Sequence, residues 1–260
     1  MKYIVKIKRY NPDNNKTFFE EFNVDLDEKL NVLEVIEYIK EKIDPTLTYR
    51  TFCKSAICGS CAMVVNGTSK LTCKIKAVDF LEDGILTIEP LKNFETIKDL
   101  VVNQDKGFEI IKKSQNFMVS KTPPKNSEFL ISPQEEKSYD KQTECILCMA
   151  CYSDCPAVET DKNYFGPFNF SKMLRFINDS RDSLTTQRID KTMEGNIFSC
   201  VECQACILAC PKGLTPQFDI KTLQTKAQAQ GHSNPNQMEF GNFGGFDDFN
   251  SFGGFNPNGF

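Results

Sequence analysis

Cys145-Ile146-Leu147-Cys148-Met149-Ala150-Cys151-Tyr152-Ser153-Asp154-Cys155-Pro156 decides how this chain folds, because its grammar returns as Cys200-Val201-Glu202-Cys203-Gln204-Ala205-Cys206-Ile207-Leu208-Ala209-Cys210-Pro211. The two runs agree at six of twelve positions, as an internal duplication would. Each has the spacing C-x2-C-x2-C-x3-C-P, a ligand pattern of cubane iron-sulfur clusters in which the fourth cysteine serves the other cluster. Three thiolates two residues apart on a tight loop can converge on three irons of one cube. The fourth must come from chain that has turned away, and the proline after it stops a preceding turn from continuing. This reading groups Cys145, Cys148 and Cys151 with Cys210, and Cys200, Cys203 and Cys206 with Cys155.

A third quartet stands nearer the start: Cys53, Cys58, Cys61 and Cys73, with the C-x4-C-x2-C spacing of plant-type [2Fe-2S] proteins. Gly59 lets backbone amides turn inward toward sulfur, where such donors help set a potential. Structural zinc is the competing reading, but it usually joins two separated cysteine pairs. A disulfide framework suits small secreted domains rather than 260 residues with no export signal in view. Histidine ligation is out of reach, since the one histidine, His232, lies in a segment read as disordered, where a solvated side chain is expected.

A net charge of -4, from 31 basic and 35 acidic residues, offers no general attraction for nucleic acid or anionic lipid, and neither is expected as a direct ligand. No apolar run approaches the roughly 20 residues of a membrane helix, so no direct transmembrane span is expected. Met1 to Lys6 alternates too soon with charge for a signal peptide.

Hydrophobic residues make up 40% of the chain, enough for two domains and a tail. Residues 1–105 read as a mixed α/β module. Tyr3 to Tyr10 and Thr17 to Leu26 are strands around an Asn11-Pro12-Asp13-Asn14 turn. Asn31 with Glu34 starts a helix whose apolar face is Val32, Val35, Ile36, Ile39 and Ile43. Ala62 to Val65 and Ser69 to Cys73 flank an Asn66-Gly67 hairpin turn, and Gly84 to Ile88 is another strand. Residues 106–142, polar and marked by Pro123, Pro124 and Pro133, read as a connecting segment. Residues 143–230 read as a helical domain. There Met173, Leu174, Phe176 and Ile177 recur at helix spacing, with Asn169 or Ser171 as cap.

The tail, 231–260, holds seven of the fourteen glycines, seven of the 22 phenylalanines, and no lysine or arginine. Phe240, Phe243, Phe246, Phe249, Phe252 and Phe255 recur every third residue. It cannot build a core alone and is read as disordered.

With its three quartets placed, the chain resembles the iron-sulfur subunit of the succinate dehydrogenase and fumarate reductase family, complex II, from about residue 3 to 225. The resemblance rests on Ile57 to Met63 with Asn66-Gly67, on Ile97 to Val102, on Glu144 to Cys148, and on Gly166-Pro167. Ile177 to Asp182 and Cys210 to Pro216 add to it. It implies an α+β chain: an N-terminal β-grasp, plant-type [2Fe-2S] ferredoxin-like domain, then an all-α two-cluster ferredoxin-like domain. It further implies a flavoprotein partner carrying FAD and a membrane-side partner linked to the quinone pool. Electrons would pass singly through three clusters, with the flavin end at the Cys53 quartet and the quinone end at the cluster of Cys155, Cys200 and Cys206. No flavin is expected on this chain, and no substrate chemistry, which would reside on the partner.

The chain departs from that family at three places. Most members carry a non-cysteine where Cys203 stands and hold a [3Fe-4S] cluster there; a fourth thiolate implies [4Fe-4S], with [3Fe-4S] as the alternative. Ala157, Thr160 and Val201 replace the serine, tryptophan and histidine of the usual quinone pocket, and the chain has no tryptophan. Together these resemble the branch whose third subunit is cysteine-rich, as in methylmenaquinol:fumarate reductases. Ala56 stands where the first cluster loop commonly has glycine, and only local rearrangement is expected. The resemblance implies a peripheral seat on the inner, cytoplasmic membrane. The cytoplasmic face is expected there, and the periplasmic face, by co-export with the flavoprotein, is the alternative. Iron-sulfur subunits of thiol:fumarate or glycolate oxidoreductases and, remotely, a zinc-binding scaffold are the competing functions.

Overall fold

The computed structural model describes residues 1–121, 124 and 128–235. The alternation at the N-terminus gives β1 (Lys2–Asn11), which buries Tyr3, Val5 and Ile7 and leaves Lys6 and Lys8 to pair with Glu21 and Glu89 at the surface. It pairs antiparallel with β2 (Lys16–Asp25), from Lys2 opposite Asp25 to Asn11 opposite Lys16. Helix α1 (Val32–Lys42) begins with the capping box read from Asn31 and Glu34: the Glu34 amide donates to Asn31 Oδ1 at 3.0 Å and the Asn31 amide to Glu34 Oε2 at 2.8 Å. Val32, Val35, Ile36 and Ile39 are buried, but Ile43 ends the helix and is 45% exposed.

Strands β3 (Ala62–Val65), β4 (Thr68–Leu71) and β5 (Ile85–Glu89) complete a sheet of order β2-β1-β5-β3-β4, with β1 and β5 parallel and the other pairs antiparallel. Asn66 and Gly67 both take positive φ, as a tight turn between β3 and β4 requires. One face of the sheet and α1 share a core of Val5, Ile7, Ile36, Ile39, Met63, Leu86 and Ile88. A short hairpin, β6 (Thr96–Lys98) and β7 (Val101–Val102), follows.

The remainder is helical, so the chain is α+β. The stretch read as connecting is not featureless: it contains most of α2 (Asp105–Lys113), all of α3 (Pro133–Lys137) and all but the last residue of α4 (Asp140–Thr143). Then come α5 (Ala150–Ser153), α6 (Pro156–Thr160), α7 (Pro167–Ile177), α8 (Thr185–Glu194), α9 (Ala205–Leu208) and α10 (Pro216–Ala229). Helix α7 starts earlier than the cap reading placed it. Pro167, with its fixed φ, occupies the first turn, and Asn169 and Ser171 lie buried inside the helix. Gly166 before it has φ +85 and lies against the Tyr152 ring, 2.4 Å from where a Cβ would sit. Helix α8 carries few apolar residues, which hid it in the sequence; Arg188 and Ile189 are its buried anchors. Helix α10 packs on α7 and α8. Among the described residues no helix is long and apolar enough to cross a membrane.

The two halves meet along a polar seam set in apolar packing. Ser69 on β4, fully buried, donates its amide to Asp154 Oδ2 at 2.7 Å and directs its hydroxyl at Asp154 Oδ1 and Ser153 Oγ. The Lys92 amide donates to Ser153 Oγ at 2.8 Å, Lys70 Nζ to the Leu208 carbonyl at 2.9 Å, and Lys74 Nζ to the Pro211 carbonyl. His232 is not a free surface side chain: half-buried beyond α10, its Nε2 lies 2.8 Å from Asp190 Oδ1. The disorder read for 231–260 does not hold at its start, where the Gly231 and His232 amides donate to the Gln228 and Ala227 carbonyls at the end of α10; residues 236–260 lie outside the described residues.

Arg188 and Asp182 form an ion pair with both side chains at zero exposure, Nη2 to Oδ2 at 2.7 Å and Nε to Oδ1 at 3.0 Å. The guanidinium also donates to the Gln115 and Phe117 carbonyls, tying the segment after α2 to the helical core. Removing one partner leaves the other charged and buried. Arg188→Ala is therefore expected to lower stability by about 3–5 kcal/mol, read as a fall in the denaturation midpoint of the cluster-loaded protein.

Candidate metal centres

The first quartet lies on the loop between α1 and β3, with Cys73 just past β4. Left-handed backbone at Lys54 (φ 54), Ala56 (φ 55) and Gly59 (φ 75) folds this loop inward. The amides of Ser55, Ile57 and Cys58 point at Cys53 Sγ at 3.4, 3.4 and 3.3 Å, and that of Ala56 at Cys73 Sγ at 3.4 Å. Ala56 thus takes the turn where glycine is common and still offers its amide. Ser55 first, then Cys58 and Ile57, lower the Cys53 thiol to about 6 through these donors. Burial first, then Cys61 and Cys53 nearby, push Cys73 up to about 11. Cys53 also interacts with the Cys58 side chain, so the four thiols form one group.

In the two later runs the backbone repeats as the sequence does. Leu147 (φ 55) and Met149 (φ 64) in the first run match Glu202 (φ 55) and Gln204 (φ 62) in the second, at identical offsets from their cysteines. Left-handed conformation at non-glycine residues is unfavourable by roughly 1–2 kcal/mol each, so a repeated pair at matched positions marks a built feature. In each run a residue's amide serves the thiol two places before it: Leu147 for Cys145, Ala150 for Cys148, Glu202 for Cys200.

The fourth cysteines cross over. Cys148 is pushed up to about 12 by burial and by neighbouring Cys145 and Cys210, and Cys151 is pushed well up by burial and by Cys148, Cys145, Cys206 and Cys210. Burial, followed by Cys200 and Cys203, raises Cys155 to about 11; burial, followed by Cys155, Cys200 and Cys203, raises Cys206 to about 12. The structure therefore brings Cys145, Cys148, Cys151 and Cys210 together, and Cys155 together with Cys200, Cys203 and Cys206. Cys203 joins its group although it is exposed, on a surface run with Val201, Glu202 and Gln204. Among the described residues no three His, Cys, Asp or Glu side chains gather at one point to hold a single ion.

These surroundings fit iron-sulfur clusters. Buried thiols resist ionisation alone but would be stabilised as thiolates by iron, and amides already aim at sulfur. The Leu214 amide lies 3.3 Å from Cys210 Sγ. Two fully buried hydroxyls lie beside the thiols, Tyr152 with no hydrogen-bond partner in the polypeptide and Tyr164 with only the Cys200 thiol within reach. The sequence reading passed over both tyrosines, and no spacing singles them out. The left-handed pairs it also missed could have been sought as matched offsets within the duplicated runs.

The first and second groups touch at Gly59. A Cβ there would lie 2.9 Å from Cys148 Cβ, 3.0 Å from its Cα and 3.3 Å from the Ile146 carbonyl. The second and third groups adjoin through Cys151 and Cys206.

A model of the 2Fe-2S iron-sulfur cluster binding domain matches residues 4–109, and one of the 4Fe-4S dicluster domain matches 141–214. Among curated relatives, the mitochondrial succinate dehydrogenase [ubiquinone] iron-sulfur subunit 3 of Arabidopsis thaliana is 35% identical over 228 residues, covering 85% of this chain and 74% of its own. The fumarate reductase iron-sulfur subunit of Mycobacterium tuberculosis is 32% identical over 228 residues, 86% of this chain and 92% of that protein. An uncharacterized iron-sulfur protein of Methanocaldococcus jannaschii is 33% identical over 90% of this chain but 46% of its own. A chain of the Mycobacterium smegmatis Sdh1 complex superposes with a TM-score of 0.79 over 89% of this chain and 98% of that one, at 21% identity, a likeness of fold.

Gly59 and Gly67 have nearly the same φ, +75 and +78, but only Gly59 abuts another loop; nothing lies within 4 Å of a Cβ at Gly67. Gly67→Ala is expected to lose only the backbone term of roughly 1–2 kcal/mol. Gly59→Ala is expected to lose clearly more, together with visible absorbance from the first cluster. Parallel thermal melts and spectra check this.

Proposed function

We propose an electron-transfer role on one premise: the chain belongs to the family of iron-sulfur subunits of succinate dehydrogenase and fumarate reductase. Such subunits serve oxidoreductase complexes, and this chain has both the 2Fe-2S and the 4Fe-4S domain. In our reading, residues 1–105 hold [2Fe-2S] on Cys53, Cys58, Cys61 and Cys73. Residues 143–230 hold [4Fe-4S] on Cys145, Cys148, Cys151 and Cys210, and a third cluster, [4Fe-4S], on Cys155, Cys200, Cys203 and Cys206. Residues 106–142 connect the two. When bound, the clusters supply acceptance and release of single electrons.

The observation that carries this reading is the exchange of Cys155 and Cys210 between the runs. It brings the second and third groups side by side, while Gly59 brings the first against the second. That order gives a path from a flavoprotein carrying FAD at one end to a quinol-linked third subunit at the other. Apolar side chains at both rims support docking there: Phe52 (83% exposed) and Ile57 (63%) by the first group, Val201 (63%) and Leu208 (72%) by the third. With Ala157, Thr160 and Val201 in place of the usual quinone-pocket residues, the third subunit is the cysteine-rich type. Membrane association is then peripheral and through that partner, on the cytoplasmic face.

Cys203 is the sharpest point of this reading. The anaerobically isolated complex is expected to hold about ten irons with matching sulfide and to show no 3Fe resonance when oxidised. Cys203→Ser is expected to produce that resonance. A strong 3Fe signal in the unaltered complex would rule out the fourth thiolate, and iron-free protein would end the electron-transfer reading.

A further inference from the structure

Tyr164 is 1% exposed, its ring packed on Phe170 at 5.3 Å between centroids. The chain around it is held firmly: its amide donates to the Asp161 carbonyl and the Phe165 amide to the Gly195 carbonyl, both at 3.2 Å. Asp161 Oδ2 also accepts from Ser199 Oγ at 2.9 Å, and Ser199 directly precedes Cys200. The loop bearing Tyr164 is thereby fastened to the start of the second cysteine run. Cys155 and Cys206 share the core in which the ring sits, and Cys200 packs against it.

Within that core the hydroxyl makes no hydrogen bond of normal geometry to any described group. The one polypeptide group within its reach is the Cys200 thiol, and a buried hydroxyl calls for a firm acceptor at that point. Cys200, Cys155 and Cys206 surround the hydroxyl, with Cys200 within hydrogen-bonding reach.

We propose that the Tyr164 hydroxyl donates a hydrogen bond to sulfur of the cluster held by Cys155, Cys200, Cys203 and Cys206, and that this bond raises the reduction potential of that cluster. The inference rests on the cluster reading above. Reduction adds one negative charge to the cluster and moves no proton here. A dipole with its positive end toward sulfur stabilises the reduced form more than the oxidised one. Tyr164 is in this sense a positioning residue for charge, set beside the last electron step.

The test is a redox titration, followed by electron paramagnetic resonance, of the intact complex and its Tyr164→Phe variant. The variant removes one oxygen from a packed ring. The third cluster is expected to become easier to oxidise, by about two- to tenfold in its oxidised-to-reduced ratio at a fixed poise, the range of one neutral hydrogen bond. Tenfold corresponds to about 59 mV for a one-electron couple. The other two clusters should not move. An unaltered complex with no third cluster would defeat the ligand reading itself. A third cluster present in both proteins at one potential would overturn the role of Tyr164 alone. Should the phenylalanine variant lose the cluster, 3-fluorotyrosine placed at 164 decides: its more acidic hydroxyl should raise the potential, and an unmoved or lower value overturns the inference.

Discussion

The helical half is organised by one exchange: each cysteine run keeps three thiols and sends its fourth, Cys155 or Cys210, into the other's group. Neither group can be completed from its own run, so the runs must lie together. Helices α7, α8 and α10 then fill the space around them. Tyr152, Tyr164, Phe165, Phe168 and Phe170 share a core with Cys151, Cys155 and Cys206. Aromatic rings thus line the buried side of these thiols, and the low dielectric there strengthens each amide or hydroxyl dipole that remains.

Convergence of thiols at two-residue spacing requires unfavourable backbone. Leu147, Met149, Glu202 and Gln204 adopt it without glycine. Part of the offset is visible. Met149 is buried and its side chain lies against Gly107 of α2, so close that a Cβ at Gly107 would sit 2.7 Å from Met149 Cε. Packing against α2 thus helps hold a strained turn of the first cysteine run.

Much of this was legible from residues alone, and the reasons differ by element. The β1 alternation, the Asn31–Glu34 capping box and the Asn66-Gly67 turn are local signals whose physics acts within a few residues, and they stand as read. The cysteine groups were legible because ligand spacing is a geometric demand. Helix α7 was read but started too late, because Pro167 after Gly166 is the stronger start signal than a polar residue inside the first turn. Helix α8 escaped because two of the three residues it buries, Arg188 and Thr192, are polar, which leaves Ile189 without an apolar stripe around it. Tyr164, Gly59 against Cys148, and the Ser69–Asp154 seam depend on contacts between distant segments, which no local pattern announces.

Lys74 follows Cys73, and its ammonium reaches the carbonyl of Pro211, which follows Cys210. Lys70, on β4, reaches Leu208, and Ser69 is buried on Asp154. Parting the halves would leave these donors and a carboxylate at a newly wetted face, so the distance between the cysteine groups of the two modules is set by this seam and not by the length of chain that joins them.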